Sequence, residues 1–236
     1  SDRIGCMSEA NVQYLLNNNK EIDYKKAEVN PNSADLNNVN LKQSKKVENI
    51  YLPRNKTIFI YGGNLGKPQG IKYLMNNIEN CNDLLKAFFI IVGGGTEFNY
   101  IKNQIKIKKL NNVILIDHLS KFDFEYLLSK SHVGLVSLDP EFTIPNFPSR
   151  MIPYMKYKLP ILFAVDPNTD CGQIAQINNF GLNCINGDKC KFKSHVKLLI
   201  YNEKILKEMG VNSYNFLKNN YDVNISYGII MKNFLK

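Results

Sequence analysis

From Thr57 onward, runs of consecutive apolar residues alternate with segments in which apolar residues recur every three or four positions. The runs cover residues 57–61, 88–92, 113–116, 133–136 and 161–165, with a shorter one at 182–184. Each has the length of a strand, and none alternates with polar residues, so both of its faces are expected to be buried. Between the runs the spacing is helical: Ile71, Leu74, Met75 and Ile78; then Phe98, Ile101 and Ile105; then Phe124, Leu127 and Leu128. Met151, Ile152 and Met155 follow, and then Ile174 and Ile177. Fully apolar strands separated by helices predict an α/β fold, a Rossmann-like parallel sheet with helices on both faces.

The two ends read differently. Residues 4–7 suit a strand, and residues 9–18 a helix carrying Val12, Leu15 and Leu16 with Ser8 as N-cap. Residues 29–32 read as extended chain, and residues 37–56, polar and rich in Lys and Asn, as a linker. No element is placed between Cys184 and Asn219, and Lys189, Lys191 and Lys193 are read as loop residues. The chain then turns at Asn220-Tyr221, and Asp222 is placed to cap a last helix bearing Ile225, Ile229 and Ile230 on one side. The organisation predicted is a leading piece over 1–36, the linker over 37–56, the main domain over 57–213 and a terminal crossover helix over 214–236.

Composition narrows the function. No apolar run approaches the roughly 18 residues that span a bilayer. The opening residues carry no signal-peptide pattern. Cys6, Cys81, Cys171, Cys184 and Cys190 form no CxxC pair, which suits free thiols in a reducing cytoplasm. A formal charge of +9 suits nucleic acid, anionic lipid or phosphorylated ligands. The lysines are scattered with no aromatic interleaving, which argues against nucleic acid and leaves a solvated surface, with peripheral membrane contact as the next reading. His132 and His195 have no partners at metal-ligand spacing, so no metal site is expected.

Four loops could carry chemistry. Residues 62–70, Gly-Gly-Asn-Leu-Gly-Lys-Pro-Gln-Gly, join the first of these strands to its helix. Glycines there allow either a tight turn or the close approach of backbone N–H groups to a phosphate, and a lone glycine cluster by itself favours the turn. A P-loop is excluded, because Tyr61 and Pro68 stand where Gly and Ser or Thr are required. A dinucleotide fingerprint is excluded too, since the next strand ends in Gly93 and not in an acid. The second loop, Gly93-Gly94-Gly95-Thr96-Glu97, and the third, Asp117-His118-Leu119, end the next two strands. Ligands of open α/β sheets bind at that edge. The fourth, Asn146-Phe147-Pro148-Ser149-Arg150, leads into a helix, where a serine and a cation beside free N–H groups make an anion site. Arg150 can offer a bidentate fork to phosphate; the alternative is a surface ion pair.

These loops together resemble the donor domain of GT-B glycosyltransferases of the group 1 (family 4) kind, in the form found in capsule and lipopolysaccharide biosynthesis. The likeness covers almost the whole chain: residues 6–10 and 29–35 resemble the end of the N-terminal domain of such enzymes, and residues 222–235 the terminal helix that crosses back onto it. The resemblance implies the C-terminal half of a GT-B fold and transfer of a hexosyl or acetamidohexosyl group from a UDP- or GDP-sugar, with retention and without a metal or other cofactor. It implies a glycan or lipid-linked acceptor, and most of the acceptor domain would be absent from this chain. By the same resemblance the diphosphate falls to Gly63, Asn64, Lys67, Gln69, Ser149 and Arg150. The nucleotide and base fall to Gly94, Gly95, His118 and Leu119, and the sugar to Asn146, Phe147 and Pro148. The chain departs from the broad family in two places. Asn64 and Gln69 replace a diphosphate-holding Arg and Lys, and Pro145 and Pro153 replace the two glutamates of a Glu-x7-Glu motif. Lys67 is the substitute cation. Two other readings are a split or non-catalytic nucleotide-sugar-binding module and a sugar-nucleotide epimerase of the same fold, whose catalytic acids and histidines have no counterpart here.

Overall fold

The computed structural model describes residues 2–36, 43–232 and 234. The main domain contains a six-stranded, all-parallel sheet in the order β5-β4-β3-β6-β7-β8. Its strands are β3 (Thr57–Gly62), β4 (Ala87–Val92), β5 (Val113–Ile116), β6 (Val133–Ser137), β7 (Ile161–Val165) and β8 (Gly181–Ile185). The first of them, β3, lies in the middle. The chain runs outward through β4 and β5, returns to pair β6 with the other side of β3, and runs outward again. The order therefore reverses between β3 and β6, and the loops leaving their C-terminal ends bound the crevice where such sheets bind ligands.

The uninterrupted apolar strands are explained by two cores. Along β3, Ile58 and Ile60 face one helical layer, and Phe59 and Tyr61 face the other. The first layer holds α5 (Lys121–Leu128), α6 (Met151–Lys156) and α7 (Cys171–Ile177), which contribute Leu127, Leu128, Met151, Tyr154 and Ala175. The second holds α3 (Ile71–Glu79), α4 (Phe98–Ile107) and α8 (Lys189–Tyr201), which contribute Leu74, Met75, Ile78, Ile101, Phe192 and Val196. With side chains buried on both faces, a strand has no position left for a polar alternation.

Two helices were missed from sequence. α8 starts at Lys189 with Asp188 as its cap, so Lys189, Lys191 and Lys193 lie in its first turns and not in a loop. α9 (Glu203–Asn220) follows at once. Their exposed faces are dense in Lys, Asn and Glu, and only a few residues of each are buried. The polar stretch before β3 is packed where it is described. α2 (Lys45–Glu48) is capped by Ser44, whose hydroxyl also donates to Asp123 of α5 (2.7 Å), and Val47 is buried in the first core. Residues 37–42 of the expected linker lie outside the described residues.

The two ends of the chain meet. β1 (Ile4–Cys6) and β2 (Ala27–Val29) form a two-stranded parallel sheet, with α1 (Glu9–Asn18) between them in sequence. α10 (Val223–Met231), capped by Asp222, lies against this unit. Its Ser226 hydroxyl donates to Pro31 O (3.2 Å), Lys232 pairs with Glu28 (2.9 Å), and Ala34 bridges to Asp222. Ser8 is the N-cap residue of α1, but its side chain makes no capping bond. Asp170, from the start of α7, accepts from Ala10 N–H instead (3.1 Å). Of the three isoleucines placed on one side, Ile225 and Ile229 are half-buried, whereas Ile230 is 46% exposed. With Val223, Tyr227 and Phe234 it forms an exposed apolar stripe at helical spacing.

One buried titratable group yields a prediction. His195 of α8 is buried, and its Nε2 lies 3.0 Å from Asn183 O; a carbonyl only accepts, so Nε2 carries the proton. Burial holds its pKa below that of free histidine, against an opposing pull from the Asn183 bond. The unfolded chain then takes up a proton near pH ~6.5 that the folded chain refuses. Stability from this site is full above that pH and is lost as pH falls toward the lower folded pKa. Urea midpoints at two pH values, above and below the free-histidine pKa, should fall more with acid in the unmodified chain than in His195→Gln; equal falls would remove His195 as a cause.

Candidate functional site

The loop after β3 and the loop after β4 are laced together by backbone hydrogen bonds. Gly63 N–H donates to Val92 O (3.0 Å), Leu65 N–H to Gly94 O (2.9 Å) and Glu97 N–H to Leu65 O (2.8 Å). This lacing requires Gly93. Its φ of +140° is open only to glycine, and a methyl there would collide with the carbonyl oxygen of Gly63. At Gly94 a side chain would run into the His118 ring. The reading of these glycines as a closely packed turn holds, and Gly93 and Gly94 also line a cleft at the sheet edge.

The laced loops and the end of β5 enclose a cleft of about 430 Å3. Gly63 and Asn64 form one wall, Gly93 and Gly94 the next, and His118, Leu119, Lys121 and Phe124 the third. Asn64, Gly94, His118 and Leu119, expected from sequence to touch a nucleotide or its phosphates, are thus brought together. The His118 side chain is exposed, and its Nδ1 lies 2.9 Å from Asp117. Hydrogen bonds from the His118 backbone and then its ring hold the Asp117 carboxyl below the usual carboxylate range.

Arg150 reaches the same place from the loop before α6. Its guanidinium lies against the α-carbon of Gly63: a methyl placed there would stand 3.4 Å from Cζ and 3.5 Å from both terminal nitrogens. Cζ sits 4.8 Å from the centre of the Tyr61 ring. Arg150 forms no ion pair among the described residues, and its Nη1 is buried with no hydrogen-bond partner there. A buried cationic donor without a partner beside a glycine loop is the arrangement expected of an anion site.

Two tyrosines given no role in the sequence analysis fix this arrangement. The hydroxyl of fully buried Tyr154, on α6, accepts from Gly62 N–H (2.9 Å), and Tyr61 donates to Asn64 O (2.8 Å). Burial raises the pKa of both phenols, with the Arg150 charge opposing, so both stay neutral. The available signal was that a buried phenol needs a partner for its hydroxyl. A buried network anchors the other end of the loop. Asn186 donates to Gly70 O (3.2 Å), Leu138 O (2.8 Å) and Ser137 Oγ (3.0 Å), while Ser137 donates to Gln69 O (2.7 Å).

Several expected site residues stand elsewhere. The Phe147 side chain lies in the core: it is 6% exposed and meets Tyr221 edge-on at 6.0 Å, because an aromatic ring gains more from the core than from solvent. Pro148 is buried too. Ser149 is exposed and does not start the helix; Arg150 is the N-cap. The N–H groups of Met151 and Ile152 already donate to Pro148 O (3.3 Å) and Ser149 O (3.1 Å), and Pro153 has no N–H. The fan of free donors expected at that helix start is therefore depleted, and the cation is the guanidinium itself. Asn64 and Gln69 bond to each other, Nδ2 to Oε1 at 3.1 Å. Lys67 lines a separate cleft of about 380 Å3 with Glu97, Asp139 and Glu141. Asn146 is exposed, and its N–H donates to Thr169 (3.0 Å), which the buried Asp166 holds. Asn11 of α1 donates to Pro145 O (2.7 Å) and pins the same loop from the other side.

The family model described as "Glycosyl transferases group 1" matches residues 42–216, more than half of the chain. The chain belongs to this family. Among solved structures, the glycosyltransferase of Rickettsia africae superposes with a TM-score of 0.80 at 17% identity, over 99% of this chain and 62% of its own. HepE of Anabaena, solved with UDP, gives 0.79 at 16% identity, over 99% and 64%. A mutant of TarM from S. aureus, solved with fondaparinux, alpha-GlcNAc-glycerol and UDP, gives 0.77 at 16% identity, over 100% and 44%. At these identities the likeness is one of fold. The chain spans less than two thirds of the length of each of these relatives. No curated protein sequence matches it. Among the described residues, no helix of this group 1 transferase chain is long and apolar enough to cross a membrane.

Proposed function

We propose that the chain is the donor-binding, C-terminal half of a GT-B glycosyltransferase, with residues 1–36 as the end of the acceptor domain. The enzyme moves a hexosyl or acetamidohexosyl group from a UDP- or GDP-sugar to a bacterial capsule, lipopolysaccharide or other lipid-linked glycan. Transfer proceeds with retention and without a metal, at the cytoplasmic side of the membrane. The observation that carries this reading is the buried, unpartnered Nη1 of Arg150 beside Gly63, at the point where the strand order reverses. Support comes from the structural neighbours: HepE was solved with UDP and glucose, and the pneumococcal O-GlcNAc transferase GtfA with UDP and GlcNAc.

Chemically, such a site works by positioning and by stabilising charge on the departing diphosphate. Arg150 offers the charge from a low-dielectric position. The backbone edge at Gly94, Gly95, His118 and Leu119 receives the base, and Asn146 with the backbone of Phe147 and Pro148 borders the sugar. Pro145 and Pro153 supply no carboxylate, so no side chain at those two places makes an ionic contact to the sugar or ribose. Residues 1–236 taken alone are expected to bind a nucleoside diphosphate weakly, because the phosphate site lies within them. Calorimetric titration with UDP and with GDP at millimolar ligand tests the reading; no heat from folded protein with either would reject a donor domain.

A further inference from the structure

We infer that Tyr61 is a positioning residue that aims the Arg150 guanidinium into the cleft and couples it to the loop after β3; the inference rests on the diphosphate reading above. Tyr61 is 0% exposed. Its ring lies 4.8 Å from Arg150 Cζ, and its hydroxyl donates to Asn64 O at 2.8 Å. One side chain thus holds two parts of the site that come from loops far apart in sequence.

The choice of a tyrosine follows from what a phosphate site needs. A partly buried arginine is usually held by a carboxylate, but a carboxylate would cancel the charge meant for the ligand. The face of an aromatic ring attracts the cation without cancelling its charge. Consistent with this, Arg150 has no carboxylate partner among the described residues, and its Nη1 is without a hydrogen-bond partner there. The loop itself is closed by neutral groups: Tyr61 to Asn64 O, and Asn64 Nδ2 to Gln69 Oε1 (3.1 Å). In this chain the two amides that replace the cations of related loops serve to shape the turn. The fixed charge comes from across the reversal point, seated on Tyr61.

The test compares UDP and uridine binding by the unmodified chain, Arg150→Ala, Tyr61→Met and Tyr61→Phe, each checked for folding by circular dichroism and thermal melting. Tyr61→Met keeps apolar bulk and removes the ring, so UDP affinity should fall about tenfold with uridine affinity unchanged. Tyr61→Phe keeps the ring and loses the bond to Asn64 O, so UDP affinity should fall only about threefold, a partial rescue. Folded Tyr61→Met with unchanged UDP affinity overturns the inference, as does an equal loss for UDP and uridine. If Tyr61→Met does not fold, Tyr61→Phe decides alone, and unaltered UDP affinity there overturns it. A silent Arg150→Ala, or binding of neither UDP nor GDP by the unmodified chain, removes the diphosphate reading itself; if only GDP binds, GDP and guanosine take the place of UDP and uridine throughout. A strong Arg150→Ala effect beside silent Tyr61 variants removes only the role of Tyr61.

Discussion

Arg150→Ala should weaken UDP or GDP binding by roughly 1.5–3 kcal/mol, about ten- to hundredfold, and leave binding of the bare nucleoside unchanged. The size follows from geometry. The guanidinium lies against Gly63 and holds a buried donor with no partner among the described residues, so a phosphate oxygen would meet a charge that needs no reorganisation. Lys67→Ala should cost about threefold or less. Lys67 is exposed and lines the neighbouring cleft, where Glu97, Asp139 and Glu141 compete for its charge. Calorimetry on the two variants separates the cases. A larger loss for Lys67→Ala would move the phosphate toward the second cleft, and parallel losses for nucleotide and nucleoside would mean that the substitutions disturb the fold.

Gly93→Ala is expected to be the most damaging single methyl in the site. The backbone there sits at φ +140°, and the added carbon would overlap the Gly63 carbonyl oxygen, which belongs to backbone and has no rotamer to escape into. Strain in that region costs about 1–3 kcal/mol, and forced repacking about as much again. A loss of roughly 3 kcal/mol or more is a large part of the stability of an ordinary domain. The laced hydrogen bonds Gly63 to Val92 and Leu65 to Gly94 should loosen with it. Urea denaturation measures the first effect, and amide exchange at Leu65 the second. A stability within about 0.5 kcal/mol of the unmodified chain would show that the two loops can separate without cost.

How far the amino-acid order reaches is visible in particular residues. The central strands and most helices follow from it, because apolar runs and helical spacing are local properties that burial on both faces of a sheet enforces. α8 and α9 escaped because their exposed faces are dense in Lys, Asn and Glu, and few residues of each are buried. The glycine loops were legible, since Gly93, Gly94 and Gly95 directly after a strand leave few alternatives to a close approach. Arg150 was legible as a candidate only through the pattern around it.

By itself, then, the sequence determined the strand-helix alternation and the loops at the C-terminal edge of the sheet, and it left two candidate cations, Lys67 and Arg150. Only the tertiary structure decided the strand order that reverses between β3 and β6, and so which loops face one another. It sent Phe147 into the core and Lys67 to a different cleft from His118, and it seated Arg150 on Tyr61. It also replaced the expected Ser8 cap of α1 by Asp170, and the expected donors at Ser149 by a turn whose amides are already engaged. The physical reason is the same in each case. Periodicity and glycine geometry are set by neighbouring residues, whereas the partner of a ring, a charge or an N–H is chosen among groups that only folding brings within reach.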